Sequence, residues 1–243
     1  NTNAKEIIFA LLMLVSFFSI FLSYNLLFIS KKNINFFQED IYLFLYFIIL
    51  IFLFFLLFNL EYNFSAILLS LTSSISNIGV SLDQSPQNLS FFYLILVIIG
   101  GSFFSTSSGI RFLKIYALFK FSINNLISHV RPKNIFLNSN FLLKINFQKV
   151  EIDKYFLSVL IFIISMFFLS SILTFSGISL ENSFKLSILT LMNTVNSSMY
   201  GIEYFNFQEL QFYTKLYLII FMIIGRVELL TLLIICNKFL FKN

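Results

Sequence analysis

What this chain has little of narrows its class first. Charged residues make up only 11% of its 243 residues, against about 25% in an ordinary soluble domain. A single cysteine, Cys236, cannot close an internal disulfide, and no Cys/His cluster marks a metal centre. The one histidine, His129, lies in a basic loop, where a surface role is the plainer reading. Within the long apolar segments there is one acid, Glu228, and no histidine. Paired carboxylates, a histidine base and a nucleophile constellation are therefore missing. A membrane-embedded enzyme acting on lipid would need one of these, so no catalytic residue is assigned.

What is there is apolar. Hydrophobic residues reach 58%, with 36 phenylalanines and a mean hydropathy of +0.91. These values describe an integral membrane protein in contact with lipid. The excess of Phe, Ile, Asn and Lys is what an A+T-rich genome encodes, so single Phe positions carry little weight. A net charge of +5 would suggest nucleic acid in a soluble protein. In a membrane protein its distribution matters more than its sum, and no nucleic-acid partner is assigned.

Ile7 to Ile29 is a spanning segment without internal charge, closed by Lys31 and Lys32. A second span runs from Ile41 to Leu60 and ends at Glu61 and Asn63. The next apolar run, Phe64 to Ile75, is too short to cross a bilayer and long enough to re-enter one. It leads into Ser76-Asn77-Ile78-Gly79-Val80-Ser81, a polar turn followed by a connector holding Asp83 and Pro86. Main chain without helical hydrogen bonds is tolerated at membrane depth only against protein or a water-filled cavity. The turn therefore reads as a pore loop, with Gly79 free to take φ > 0 and aim carbonyls at an ion.

The chain repeats this plan. An offset of 116 carries Asn77-Ile78-Gly79 onto Asn193-Thr194-Val195 and Gly109-Ile110-Arg111 onto Gly225-Arg226-Val227, so both units keep one interval from turn to following glycine. In the first unit the stretch Phe91 to Phe121 is interrupted from Gly100 to Gly109 by small and hydroxyl residues, including Phe103-Phe104 and Ser105 to Ser108. Such residues loosen a helix and re-satisfy freed backbone groups; a close helix-packing patch is the other reading. The second unit has a span from Tyr155 to Phe175, a half-helix from about Asn182 to Met192, a turn from Asn193 to Ser198, and a last span from Phe212 to Cys236.

Between the units, residues 122 to 154 form the one long hydrophilic connection. With the helix end before it, this region carries Arg111, Lys114, Lys120, Arg131, Lys133, Lys144, Lys149 and Lys154 against Glu151 and Asp153. The positive-inside rule makes it cytoplasmic. Lys31, Lys32, Lys238 and Lys242 then fall on the same side, while Glu61, Asp83, Glu181, Glu203 and Glu209 fall outside, opposed mainly by Lys185 and Lys215. Arg226 and Glu228 lie near the middle of the last span. An intramembrane charge is a functional hypothesis by default, a tethering ion pair being the alternative. Residues two apart on a helix point to different faces, which favours Arg226 toward a pore axis and Glu228 toward a neighbouring helix or loop.

Gly100-Gly101, Ser105-Thr106, Gly109-Ile110-Arg111 and Ile224-Gly225-Arg226-Val227-Glu228 resemble, in order and spacing, the late segments of the Trk/Ktr/HKT superfamily of potassium transporters, most closely its TrkH branch. The resemblance implies an all-α membrane fold of helix, re-entrant pore half-helix, filter loop and helix, repeated about a pseudo-fourfold axis. About five transmembrane helices and two pore helices would fall in this chain. It further implies that Ser76, Asn77, Ile78, Gly79 and Val80 form the third-repeat part of a K⁺ filter, and Asn193, Thr194, Val195 and Asn196 the fourth. The loop containing Gly100, Gly101, Ser105, Thr106 and Gly109 would gate the path, with Arg226 and Glu228 below the filter. K⁺ would be the transported ion, with no bound cofactor and no enzymatic activity. A bacterial inner membrane, a homodimer and a cytosolic nucleotide-binding regulatory subunit of the TrkA kind are implied as setting and partners.

By the same resemblance, residues 1–30 are the last helix of a preceding repeat and 41–121 the third repeat. Residues 122–154 are a cytoplasmic loop, 155–236 the fourth repeat and 237–243 a tail. A start at Asn1, with no pore loop before the first span, is expected of the C-terminal part of a longer protein. Two filter quarters cannot encircle an ion, so the others must come from elsewhere. The sequence also departs from the family's pattern: Val195 stands at a filter glycine, Asn196-Ser197 replace Pro-Gly, and Phe104, Ser107 and Ser108 replace loop glycines. A β-branched residue resists φ > 0, so strain is expected at Val195 and stiffness in the loop.

Overall fold

The computed structural model describes residues 2–18, 34–57, 63–80, 89–102, 105, 107–130, 149–202, 207–208 and 210–227. The sequence-based readings on Lys31, Lys32, Glu61, Ser81, Asp83, Pro86, Phe103, Phe104, Thr106, Arg131, Lys133, Lys144, Glu203, Glu209, Glu228, Cys236, Lys238 and Lys242 fall outside these residues. The fold is all-α. Its helices are α1 (Thr2–Phe17), α2 (Ile34–Leu57), α3 (Phe64–Ile75), α4 (Ser90–Ile98), α5 (Phe112–Val130), α6 (Lys149–Phe175), α7 (Leu180–Leu191) and α8 (Phe212–Val227), with a short 3₁₀ turn at Ser198–Tyr200.

The long helices α2 and α6 each have one buried face and one exposed face. In α2 the residues Leu43, Phe47, Leu50 and Phe54 are buried, while Phe44, Ile48, Phe52 and Phe55 are exposed. The spacing recurs in α6, which buries Phe162, Met166, Leu169 and Leu173 and exposes Ile163, Phe167 and Phe168. Steps of four, three and four put each buried set on one helical stripe. At 27 residues α6 is long and apolar enough to cross a membrane, and its opposite, phenylalanine-rich face suits acyl chains.

The two short helices are different. α3 buries nearly its whole surface, Ser65 to Ile75, and three of its hydroxyls bond back to its own carbonyls: Ser70 to Ile67 at 3.0 Å, Thr72 to Leu68 at 2.9 Å and Ser74 to Ser70 at 2.8 Å. This makes a polar sequence compatible with a dry interior. In α7, Ser187 bonds to Phe184 and Thr190 to Leu186, both at 2.7 Å. Thr190 is the repeat counterpart of Ser74. α3 packs on α1, α2 and α4, and α7 packs on α4, α6 and α8, so α4 touches both short helices. Around them Tyr93 shares a hydrogen bond with Ser70 (3.0 Å), and the Ser74 hydroxyl lies 3.8 Å from Met199 Sδ. Residues that follow the second turn thus pack on the half-helix of the first unit.

Several boundaries differ from those read in the sequence. α1 runs from Thr2 and bends at Phe18, within a span expected to continue to Ile29; residues 19–33 lie outside the described set. α7 starts at Leu180, two residues before the expected Asn182. Helix also occupies both described ends of the 122–154 connection, because α5 reaches Val130 and α6 begins at Lys149. The expected break is present: α4 stops at Ile98 and α5 starts at Phe112.

At Gly225 a Cβ would overlap the Leu191 carbonyl oxygen, so α8 meets the end of α7 backbone to backbone. Gly225→Val should separate these helices and cost at least about 1–3 kcal/mol, the usual range for overpacking. Gly177→Asn, at φ 94° with open space around it, adds only the strain of a side chain at positive φ and should lower the melting temperature less. Size-exclusion profile and thermal melting of the two purified variants check this.

Candidate functional site

Both half-helices end in the same closure. In α3 the Asn77 N–H bonds to the Ser74 carbonyl (3.2 Å) and the Ile78 N–H to Ser73 (3.1 Å). In α7 the Asn193 N–H bonds to Thr190 (3.1 Å) and the Thr194 N–H to Leu189 (2.9 Å). Each needs a left-handed residue just past the helix, and each uses an asparagine: Asn77 at φ 60° and Asn193 at φ 52°. They are the two non-glycine residues with positive φ among the described residues. Asparagine tolerates this region because its short amide can bond locally.

Here those amides also brace the turns. Asn77 Nδ2 donates to the Ser108 carbonyl at 2.7 Å, and Asn193 Nδ2 donates to the Met222 carbonyl at 2.9 Å. Each turn is thereby tied to the segment that leads to its own unit's following glycine, Gly109 or Gly225. Ser108 also links the units, since its hydroxyl donates to the Met192 carbonyl at the end of α7.

The turns touch directly. The Val195 N–H donates to the Ile78 carbonyl at 3.3 Å, and a Cβ on Gly79 would overlap the Val195 carbonyl oxygen. Gly79 takes φ 80°, as expected. Val195 does not share that backbone and is absent from the positive-φ residues, so the strain expected there is avoided by a different turn. Its side chain is 63% exposed. Asn77 Oδ1, Asn196 Oδ1 and Ser197 Oγ are buried acceptors with no hydrogen-bond partner among the described residues. The negative ends of the α3 and α7 dipoles converge on this region. Neutral oxygens and helix C-termini together suit a cation.

The interruption between α4 and α5 is a closed loop. Its base pairs Gly100 N–H with the Ile110 carbonyl (2.9 Å) and Ile110 N–H with Ile98 (3.0 Å). Gly100 is required there, since a Cβ would lie 2.7 Å from the Ser108 carbonyl oxygen. Within the loop Ser105 and Ser107 share a 2.9 Å hydroxyl bond, and the Ser107 hydroxyl accepts from the Gly101 N–H (3.0 Å). The serines that replace glycine thus add cross-links. Arg111, which the sequence places in the repeat motif and the basic region without a role in the loop, points into this loop. Its Nη1 lies 3.1 Å from the carbonyls of Ser102, Ser105 and Ser107 and 3.0 Å from Ser105 Oγ.

Arg226 is exposed near the end of α8; Glu228 and Thr106 lie outside the described residues. Beside Gly225 a cavity of about 40 Å³ is lined by Gly109, Lys114, Ser158 and Met192 among others. Buried Lys114 reaches the Ser158 hydroxyl there at 3.5 Å. No three His, Cys, Asp or Glu gather as a metal site among the described residues.

The sequence matches the TrkH family, described as cation transport proteins, over residues 80–241. This chain belongs to the TrkH family. TrkH proteins are transporters and not enzymes, and the family places this chain in a membrane as a multi-pass protein. Among solved structures it is similar to the potassium transporter TrkH from Vibrio parahaemolyticus, with 21% identity and a TM-score of 0.72. That match covers 96% of this chain and 52% of the Vibrio protein, so the chain spans about half of its relative's length. No curated protein matches this TrkH-family sequence.

If the asparagines are selected for φ > 0 as well as for their amides, Asn77→Gly should be milder than Asn77→Ala. Both lose the bond to Ser108, but only alanine adds the left-handed penalty of about 1–2 kcal/mol. The same order is expected at Asn193. Melting temperatures of the four purified variants measure it.

Proposed function

We propose that this chain forms part of the wall of a potassium pathway across the inner membrane of a bacterium, with Ser76 to Val80 and Asn193 to Asn196 as two quarters of a backbone-carbonyl filter. The observation that carries this reading is the meeting of two buried half-helices, each ended by a left-handed asparagine, at turns related by the 116-residue repeat. An arrangement of this kind supplies neutral oxygens and helix C-termini without a formal negative charge. A dehydrated monovalent cation needs that kind of partner.

In this reading residues 41–121 and 155–236 are the third and fourth repeats, and residues 1–30 belong to a preceding one. The connection 122–154 and tail 237–243 face the cytoplasm. The Gly100–Gly109 loop, including Gly101, Ser105 and Thr106, gates the path below the filter. Arg226 supplies a positive barrier and Glu228 bonds to a neighbouring helix or loop. Two copies pair in the membrane, and a cytosolic nucleotide-binding subunit of the TrkA kind docks on the basic regions. The ion is the cargo, and no other bound group takes part.

A second reading, a non-conducting TrkH-like subunit with an assembly or regulatory role, is favoured by one contact. The Val195 N–H occupies the Ile78 carbonyl, an oxygen that a filter would turn toward the ion. Expression of the full-length gene in cells lacking K⁺ uptake separates the two. Growth at low K⁺ that Gly79→Ser abolishes is expected for a conducting filter. No growth with either native protein or Val195→Gly would establish the second reading instead. In the conducting case Arg226→Ala should raise flux severalfold, and unchanged flux in a folded variant would make Arg226 structural.

A further inference from the structure

The Gly100–Gly109 loop is held at two places that differ in kind. Its base is closed by main-chain pairing between Ile98, Gly100 and Ile110, and by the Phe112 N–H to the Gly101 carbonyl at 3.2 Å. The described part of its tip, Ser102, Ser105 and Ser107, is joined to the rest of the chain by two other sets of bonds. One is the guanidinium of Arg111, which collects three tip carbonyls and a hydroxyl. The other is the end of α1. The Ser102 N–H donates to the Phe17 carbonyl at 3.1 Å, and the Ser107 N–H donates to the Ser16 carbonyl at 3.3 Å.

α1 stops at Phe17, so these carbonyls are among the last-turn acceptors that no helical N–H can reach. The loop tip caps them from a different part of the chain. The fit is close: a Cβ on Gly101 would overlap the Phe17 carbonyl oxygen, which requires glycine at that position. Arg111 contacts the carbonyls of Ser102 and Ser107, the residues whose N–H groups face α1, so its positive charge and the negative end of the α1 dipole act on the same tip residues. All four contacts fall on one nitrogen, Nη1, whose two N–H groups serve two of these acceptors at a time.

We propose that Arg111 is a positioning residue that latches the loop tip onto the C-terminal end of α1, and that release of this latch sets how much ion passes. The inference rests on the transport reading above. Release would open the tip about its paired base and leave the turns in place, since Asn77 and the α7 end are held by Ser108, beside the base. The latch therefore governs flux, whereas the turns govern ion affinity.

The test uses the full-length protein in a Cys236→Ser background, with two measurements. The first is Rb⁺ uptake by Arg111→Ala and Arg111→Lys, resolved into maximal rate and KM. Charged hydrogen bonds of this kind bias a two-state element by roughly tenfold or more. Arg111→Ala should raise the maximal rate severalfold with KM unchanged, and Arg111→Lys should fall between it and the native protein. The second is oxidative cross-linking of a Ser16→Cys/Ser107→Cys pair. The native arginine should give a high yield and little uptake once cross-linked, and Arg111→Ala should lower the yield several times. A folded Arg111→Ala protein with unchanged or lower uptake, or with undiminished cross-linking, would overturn the latch. If the native protein carries no Rb⁺, the transport reading fails, and the cross-linking yield alone decides whether Arg111 holds the tip to α1.

Discussion

Main chain that leaves a helix inside a hydrocarbon layer has nowhere to put its N–H and C=O groups unless other parts of the protein accept them. This chain leaves the helix inside its bundle at the two turns and the loop, and these three satisfy one another's polar groups. Asn77 and Asn193 close α3 and α7 with their backbones and reach outward with their amides. The loop takes one of those amides on Ser108 and returns a hydroxyl to the end of α7. Removing any one member leaves at least one of these groups without its partner.

The consequence is mechanical coupling. Ser108 joins both half-helix ends to the loop, and Gly225 brings α8 against Leu191 at the end of α7. The two turns then meet through Val195 and Ile78. Tyr93, Met199 and Tyr200, all fully buried, fill the opposite side and fix the second unit against α3 and α4. A rigid surround of this kind is what a selective ion path requires, because carbonyls that can move apart lose their preference for one ion size. The described part of the loop tip is attached separately, through the end of α1 and Arg111.

Much of the architecture was legible. Phe64 to Ile75 was readable as a half-helix because a short apolar run rich in serine ends at a polar turn, and the structure has α3 over those residues. The repeat offset found the second turn, and Gly79 has the positive φ its position suggested. Other features left no trace in local composition. The apolar run of α1 continues past Phe18, so hydropathy cannot register a helix end whose carbonyls are capped by amides 85 to 91 residues away. Arg111 looked like one more cytoplasmic charge, since a guanidinium that folds back into a loop has the same sequence signature as one in solvent. At Val195 local reasoning expected strain; the chain has a different turn there, because a residue facing open space on one side can rotate its peptide instead.

The central claim is that the turns after α3 and α7 together face one cation path. Anomalous scattering from Tl⁺, a K⁺ surrogate, in crystals of the full-length protein tests it most directly. A peak flanked by main-chain oxygens of residues 76–80 and 193–196 is predicted. Thallium found elsewhere in the bundle, with those two turns apart or covered by lipid, would contradict the account.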